Sequence, residues 1–263
     1  MTLPSSPPIY RSWTELVAPI RFGEGLSSHG WETGTWRVYA LQTGLKAVGR
    51  DTVPDGMFGE YTKKQVIGFQ ANNGLTADGI AGQLTQRALV KKAATRLRDM
   101  FYPRVPEGMM FGIAIKETSG FVGATNDFDP SLSDLGCDCG VIQRRVKGPP
   151  YSMETLLLAF DVAQALIWGA VDDGGGDPGK MKGYLPRYDR LTRAQPTLSE
   201  LTKRKAVIIA HNAPFMYEQF VDHGRLTTPN ALAKWTLKPG GGHYTHAEWL
   251  EVYTSEVLSF VTG

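Results

Sequence analysis

From Trp36 onward, apolar residues recur at helical intervals. Leu41, Leu45 and Val48 fall at i, i+4 and i+7, one face of a short helix that ends at Gly49. After a turn at Asp55-Gly56, a second helix begins near Tyr61, holds Val66 and Phe69 inward, and stops at Asn73-Gly74. The turn signal then returns. Asp55-Gly56-Met57-Phe58-Gly59, with Thr62 three residues on, recurs as Asp78-Gly79-Ile80-Ala81-Gly82, with Thr85 three residues on. This is an internal repeat, D-G-x-x-G-x-x-T, offset by 23 residues. In each copy Asp and Gly make a tight turn and Thr lies in the first turn of the helix that follows. Periodicity alone leaves open that the repeat is no more than two capped helix starts. Farther on, Met110, Ile113, Ala114 and Glu117 share one helical face, with Phe121 a turn beyond and Lys116 pointing elsewhere.

Punctuation marks the divisions. The first 30 or so residues, with Pro4, Pro7, Pro8, Pro19, Gly23 and Gly25, carry no clean period and read as an irregular cap. Lys91 to Arg98 is basic and helical, and Pro103 and Pro106 then break the chain. The chain divides on this reading into an irregular segment at 1–32, a small domain at 33–92, a linker at 93–105 and a larger domain at 106–263.

Composition changes this picture little. The 263 residues are 42% hydrophobic and 21% charged, the balance of a globular protein able to bury a core. A net charge of +2 gives no case for nucleic acid. Residues 1–92 carry 10 Lys/Arg against 7 Asp/Glu, a slightly basic front that would suit an anionic polymer. No run approaches the ~18 apolar residues of a membrane span, and no signal peptide is visible at the N-terminus. The two cysteines, Cys137 and Cys139, are too close for an easy mutual disulfide and are expected to be reduced thiols. Asp172-Asp173-Gly-Gly-Gly-Asp177 lacks the ligand spacing of an EF-hand, and His243 and His246 lack the rest of a zinc motif. No metal and no cofactor are expected.

Leu41-Gln42, Asp55-Gly56, Phe58-Gly59, Thr62, Phe69-Gln70, Gly74-Leu75, Asp78-Gly79, Gly82 and Thr85 together resemble the common peptidoglycan-binding domain of bacterial and phage wall hydrolases. The resemblance covers about residues 36–90. It implies a compact three-helix module with helices at roughly 37–48, 60–72 and 83–91, and peptidoglycan as partner. Asp55, Gly56, Gln70, Asp78 and Gly79 are the candidate wall-binding residues.

Glu117 does not sit on the solvated stripe of its helix but continues the core-facing one. Burial disfavours the charged form of a carboxyl group, which is what a general acid needs near neutral pH. On the periodicity alone, a helix-end carboxylate reaching water or a buried cation is the favoured reading. Three segments bear on the choice. Glu117-Thr118-Ser119-Gly120, Gly140-Val141-Ile142-Gln143 and Ala210-His211-Asn212-Ala213-Pro214 resemble, in order, motifs of the lytic transglycosylase and goose-type lysozyme superfamily, and Tyr253 and Val257 match a late tyrosine–valine pair. The resemblance implies a lysozyme-like, predominantly helical domain in which Glu117 protonates the bond between N-acetylmuramic acid and N-acetylglucosamine. Ser119, Gln143, His211, Asn212 and Tyr253 would line the sugar cleft. His211 stands where the family usually has tyrosine, and Thr118 where it has serine.

The step after protonation turns on a second carboxylate. Goose-type lysozymes typically carry Asp nine residues before the motif glutamine and another two after it; here these positions are Asp134 and Arg145. With half of that pair present, the resemblance favours a muramidase with Asp134 activating water, over a transglycosylase in which the substrate's own 6-hydroxyl closes an anhydro ring. Asp134 is equally readable as a turn-forming loop residue. The expectation is therefore a mainly α, monomeric, endolysin-type enzyme, made in the host cytoplasm and acting on the cell wall after release. An inactive wall-binding or phage structural protein is the competing reading.

Overall fold

Thr35 opens the first helix by accepting a hydrogen bond from the Val38 N–H at 3.4 Å. This helix, α1, spans Trp36–Ala47. It closes through Gly49, whose φ of 86° lets the Arg50 N–H return to the Leu45 carbonyl at 2.9 Å. Helix α2 spans Glu60–Asn72 and ends the same way, with Gly74 at φ 66° and the Leu75 N–H bonded to the Gln70 carbonyl. Helix α3 spans Gln83–Phe101. Its buried residues Leu89, Val90, Ala93, Ala94 and Leu97 prolong one apolar stripe beyond residue 91, so residues 93–101 of the expected linker are the last turns of a continuous helix.

The computed structural model describes residues 3–6, 8, 17–26, 34–125, 137–146, 148, 150–171, 183–212, 214–226, 234–237 and 243–260. The remaining elements are α4 (Met109–Thr118), β1 (Cys137–Cys139), β2 (Arg144–Val146), α5 (Met153–Phe160), α6 (Val162–Val171), α7 (Tyr184–Ala194), α8 (Glu200–Asn212), α9 (Pro214–His223), β3 (Lys234–Leu237), β4 (His243–Thr245) and α10 (His246–Leu258). The fold is mainly α. Its described strands form two antiparallel pairs, β1 with β2 and β3 with β4. Among the described residues no single helix is long and apolar enough to cross a membrane.

Two compact units interleave along the chain. Unit 1 comprises Met1–Pro103 and Glu117–Ile167; unit 2 comprises Arg104–Lys116 and Trp168–Gly263. In unit 1 the three front helices share a core with α5 and the start of α6. Trp36 stacks on Phe160 with ring centroids 5.0 Å apart. The buried Thr43 hydroxyl accepts from the Val162 N–H at 3.1 Å, satisfying a donor at the start of α6 that would otherwise be orphaned. Gly44 makes room for this contact, because a Cβ there would stand 2.8 Å from the Leu89 side chain and 3.5 Å from that of Val162.

The repeated D-G turns are built from inside by two glutamines, Gln42 and Gln70, each only 1% exposed. Gln42 Nε2 donates to Asp55 Oδ1, the Met57 carbonyl and Thr62 Oγ1 at 2.8, 3.1 and 3.0 Å. Its Oε1 accepts from the N–H groups of Asp55 and Gly56. Gln70 Nε2 repeats the pattern with Asp78 Oδ1, the Ile80 carbonyl and Thr85 Oγ1 at 2.9, 3.0 and 3.1 Å, and its Oε1 accepts from Gly79. The shared spacing of the two copies thus has a physical cause: Asp, Gly and Thr, with the carbonyl two residues after Asp, are where one buried carboxamide meets the turn.

The N-terminal segment completes these turns. Ile20, 1% exposed, pairs with Ala81 in an isolated antiparallel bridge. The Gly23 N–H bonds to the Phe58 carbonyl and the Phe58 N–H to the Glu24 carbonyl. Residues 17–26, which lacked a sequence-based role, therefore brace both repeats.

In unit 2, Arg190 grips Glu218 with two bonds of 2.6 and 2.7 Å, tying α7 to α9. The Tyr217 hydroxyl donates to the Arg187 carbonyl at 2.8 Å, and burial pushes the Tyr217 phenol up to about 12. Helix α4 meets α10 where Gly112 lies against Val257 and Phe111 packs edge-on to Phe260 at 5.4 Å.

Gln42→Ala and Gln70→Ala should each lower unfolding free energy by roughly 3 kcal/mol, since each strands buried backbone donors; urea denaturation checks this. Asp78 is held below its usual 3.8 by hydrogen bonds from the Ile80 N–H and from Gln70. A depressed folded pKa gives stabilisation that is complete above the unfolded value and lost as pH falls through the folded one. Asp78→Asn should therefore flatten the fall of Tm with acid below about that value, as read by thermal melts across a pH series.

Candidate functional site

Helix α4 carries its apolar stripe as expected: Met110, Ile113 and Ala114 are 6%, 6% and 0% exposed. Glu117, next along that stripe, is half-buried, and Thr118 behind it is buried. The helix then stops abruptly. Ser119 and Gly120 adopt left-handed backbone with φ of 55° and 83°, and the Phe121 N–H turns back to the Thr118 carbonyl at 3.0 Å.

A second sharp turn lies beside this helix end. Gly140 has φ 76°, and a Cβ there would stand 1.8 Å from the Ala159 carbonyl oxygen, so no other residue fits. Gln143, three residues on, is left-handed at φ 54°. Its N–H and its Nε2 both donate to the Gly140 carbonyl, at 3.1 and 3.0 Å. Nε2 also reaches the Ala124 carbonyl at 3.5 Å, and the Gly140 N–H bonds to that same carbonyl at 2.8 Å. The Thr118 hydroxyl donates to the Val141 carbonyl at 3.2 Å, inside the core. The fold therefore joins Glu117's helix end to the Gly140–Gln143 turn, although 26 positions separate the two residues.

Among the described residues, Ser119 and Gln143 are the two non-glycines with positive φ. Such backbone costs a side-chain-bearing residue roughly 1 kcal/mol or more and persists only where the surroundings enforce it. Ser119 ends the helix that carries Glu117, and Gln143 closes the turn that Thr118 joins to that helix end.

The other sequence-derived residues fall elsewhere. Asp134 lies outside the described residues. His211 and Asn212 are the last two residues of α8, in unit 2. Tyr253, on α10 and 1% exposed, lies with its ring centroid 5.7 Å from Lys116 Nζ, and Lys116 also pairs with Glu256. Asp55, Gly56, Gln70, Asp78 and Gly79 all belong to the hydrogen-bonded turns described above. Cys139 is disulfide-bonded, against the expectation of reduced thiols.

Sequence reasoning missed Gln86 and Thr43. Each is a buried polar residue at a core position of a helix, which is the signal that could have found them. Ser119→Gly should stabilise the protein by roughly 1 kcal/mol by relieving the left-handed strain, and Ser119→Val should destabilise it by more; equilibrium unfolding checks both.

Residues 37–89 match the family model of a peptidoglycan-binding domain. No curated protein compared with the chain matches it. The matched residues are α1, α2 and the start of α3, with both stapled turns, and the chain thus carries a peptidoglycan-binding module.

Proposed function

We propose that the chain is an endolysin-type peptidoglycan glycosidase, with residues 106–263 as its catalytic part and Glu117 as general acid. The observation that carries this reading is the left-handed backbone at Ser119 and Gln143, in two turns joined by Thr118 at the end of the helix that bears Glu117, in a chain that also bears a peptidoglycan-binding module. Glu117 gives its proton to the glycosidic oxygen as the bond from C1 of N-acetylmuramic acid breaks. In the favoured course water attacks C1 from the opposite face and Asp134 takes the water's proton, which leaves a reducing end. Inverting chemistry of this kind needs about 6.5–9.5 Å between the two carboxyl groups. The module raises the local concentration of the acid on an insoluble polymer.

Arg145, standing at the second goose-type aspartate position, keeps the transglycosylase course in view. There the 6-hydroxyl of the muramyl residue attacks C1, gives its proton to the Glu117 carboxylate left by the first transfer, and leaves a 1,6-anhydro end. Mass spectrometry of the released muropeptides separates the two, and reducing ends are the expected product. Asp134→Asn should then lower turnover roughly 100-fold, whereas anhydro products would remove Asp134 from the mechanism.

Glu117→Gln should cut clearing of purified sacculi by at least roughly 1000-fold. The same variant should still pellet with intact sacculi. Full activity in Glu117→Gln overturns the assignment of the acid, and failure to pellet overturns that of the tether. Point variants in the whole chain are the right tool, because deleting residues 1–92 would remove the Trp36 and Thr43 contacts on which residues 160–162 depend.

A further inference from the structure

Gln86 lies on α3 within the peptidoglycan-binding module, 2% exposed, and its side chain joins two distant stretches of backbone. Its Nε2 donates to the Ala81 carbonyl at 2.9 Å, at the end of the second D-G turn. Its Oε1 accepts from the Val122 N–H at 3.2 Å, across 36 positions of sequence. Val122 is fully buried, so no water can replace that acceptor. Val122 stands five residues after Glu117 and three after the left-handed Ser119. Beside it, Gly123 is pressed against α1: a Cβ there would be 2.5 Å from Arg37 Cα. The next residue, Ala124, offers the carbonyl to which Gly140 and Gln143 donate. The module thus forms the wall against which the loop after Glu117 is set, and that loop seats the Gln143 turn.

We infer that the peptidoglycan-binding module has a second task, to position the candidate site, and that Gln86 is the positioning residue through which it acts. This rests on the reading of Glu117 as the acid. On this view residues 37–89 are a structural part of the cleaving machinery as well as its tether. Gln86 touches no substrate; it fixes the backbone that follows the acid.

The test uses the full chain with Gln86→Met, which keeps the volume and removes both hydrogen bonds, and Gln86→Glu, which keeps an acceptor for Val122. Turnover of a soluble muropeptide oligosaccharide, pelleting with sacculi and hydrogen exchange over residues 119–125 are measured together. Gln86→Met should lower kcat roughly ten- to a hundredfold with KM and pelleting little changed, and should speed exchange at the Val122 amide. Gln86→Glu should recover most of that kcat and keep the amide protected. Unchanged kcat and unchanged exchange in a folded Gln86→Met overturn the proposal. If Gln86→Met does not fold, Gln86→Glu decides: exchange at Val122 as slow as in the wild type supports the assigned bond, while fast exchange overturns it. If the wild type has no turnover, or Glu117→Gln keeps all of it, the reading of the acid fails instead, and Val122 exchange alone judges whether the module holds the loop.

Discussion

Buried carboxamides hold this protein's loops in place. A backbone N–H or carbonyl taken out of water must be paired inside the protein, and leaving one unpaired costs more than a typical hydrogen bond gains. Helices satisfy their own groups; tight turns cannot. Gln42 and Gln70 solve this for the two repeated turns by reaching in from neighbouring helices, presenting a donor and an acceptor together. Gln86 does the same for the loop that follows Glu117. A neutral amide suits the task because it offers both polarities without the desolvation cost of a charge.

Around these staples the peptidoglycan-binding module and residues 117–167 share one core. Phe160 stacks on Trp36, and Thr43 receives the first donor of α6. Binding and the candidate chemistry are thus not two beads on a string within this unit. The strain at Ser119 and Gln143 is tolerable for the same reason: a loop over-determined by Gln86, Arg37 and Thr118 can keep backbone angles that a freer loop would relax. Rigid support of this sort is what a general acid requires, because proton transfer is sensitive to small displacements of the carboxyl group.

Much of the local structure was legible in the chain. Leu41, Leu45 and Val48 announced α1, and the glycines after each front helix marked where it stops. The D-G-x-x-G-x-x-T repeat pointed to two like turns, although it did not reveal Gln42, because that residue lies 13 positions before its turn while Gln70 lies only eight before its own. Helix α3 ran past its expected end because Ala93, Ala94 and Leu97 keep the apolar stripe going, a packing reason that family-derived boundaries do not carry. The free-thiol expectation failed at Cys139, which is disulfide-bonded.

By itself, the sequence determined the mainly helical class, the repeated turns, the position of Glu117 on an apolar stripe and the kinship of residues 37–89 with peptidoglycan-binding modules. These are local properties, written in period, turn chemistry and motif. Tertiary structure decided which backbone groups Gln42, Gln70 and Gln86 satisfy, that Ser119 and Gln143 are strained, and that Thr118 brings the end of Glu117's helix onto the Gln143 turn. Such pairings join residues up to 36 positions apart, and hydrogen bonds between separate elements depend on how helices pack, which no local pattern encodes.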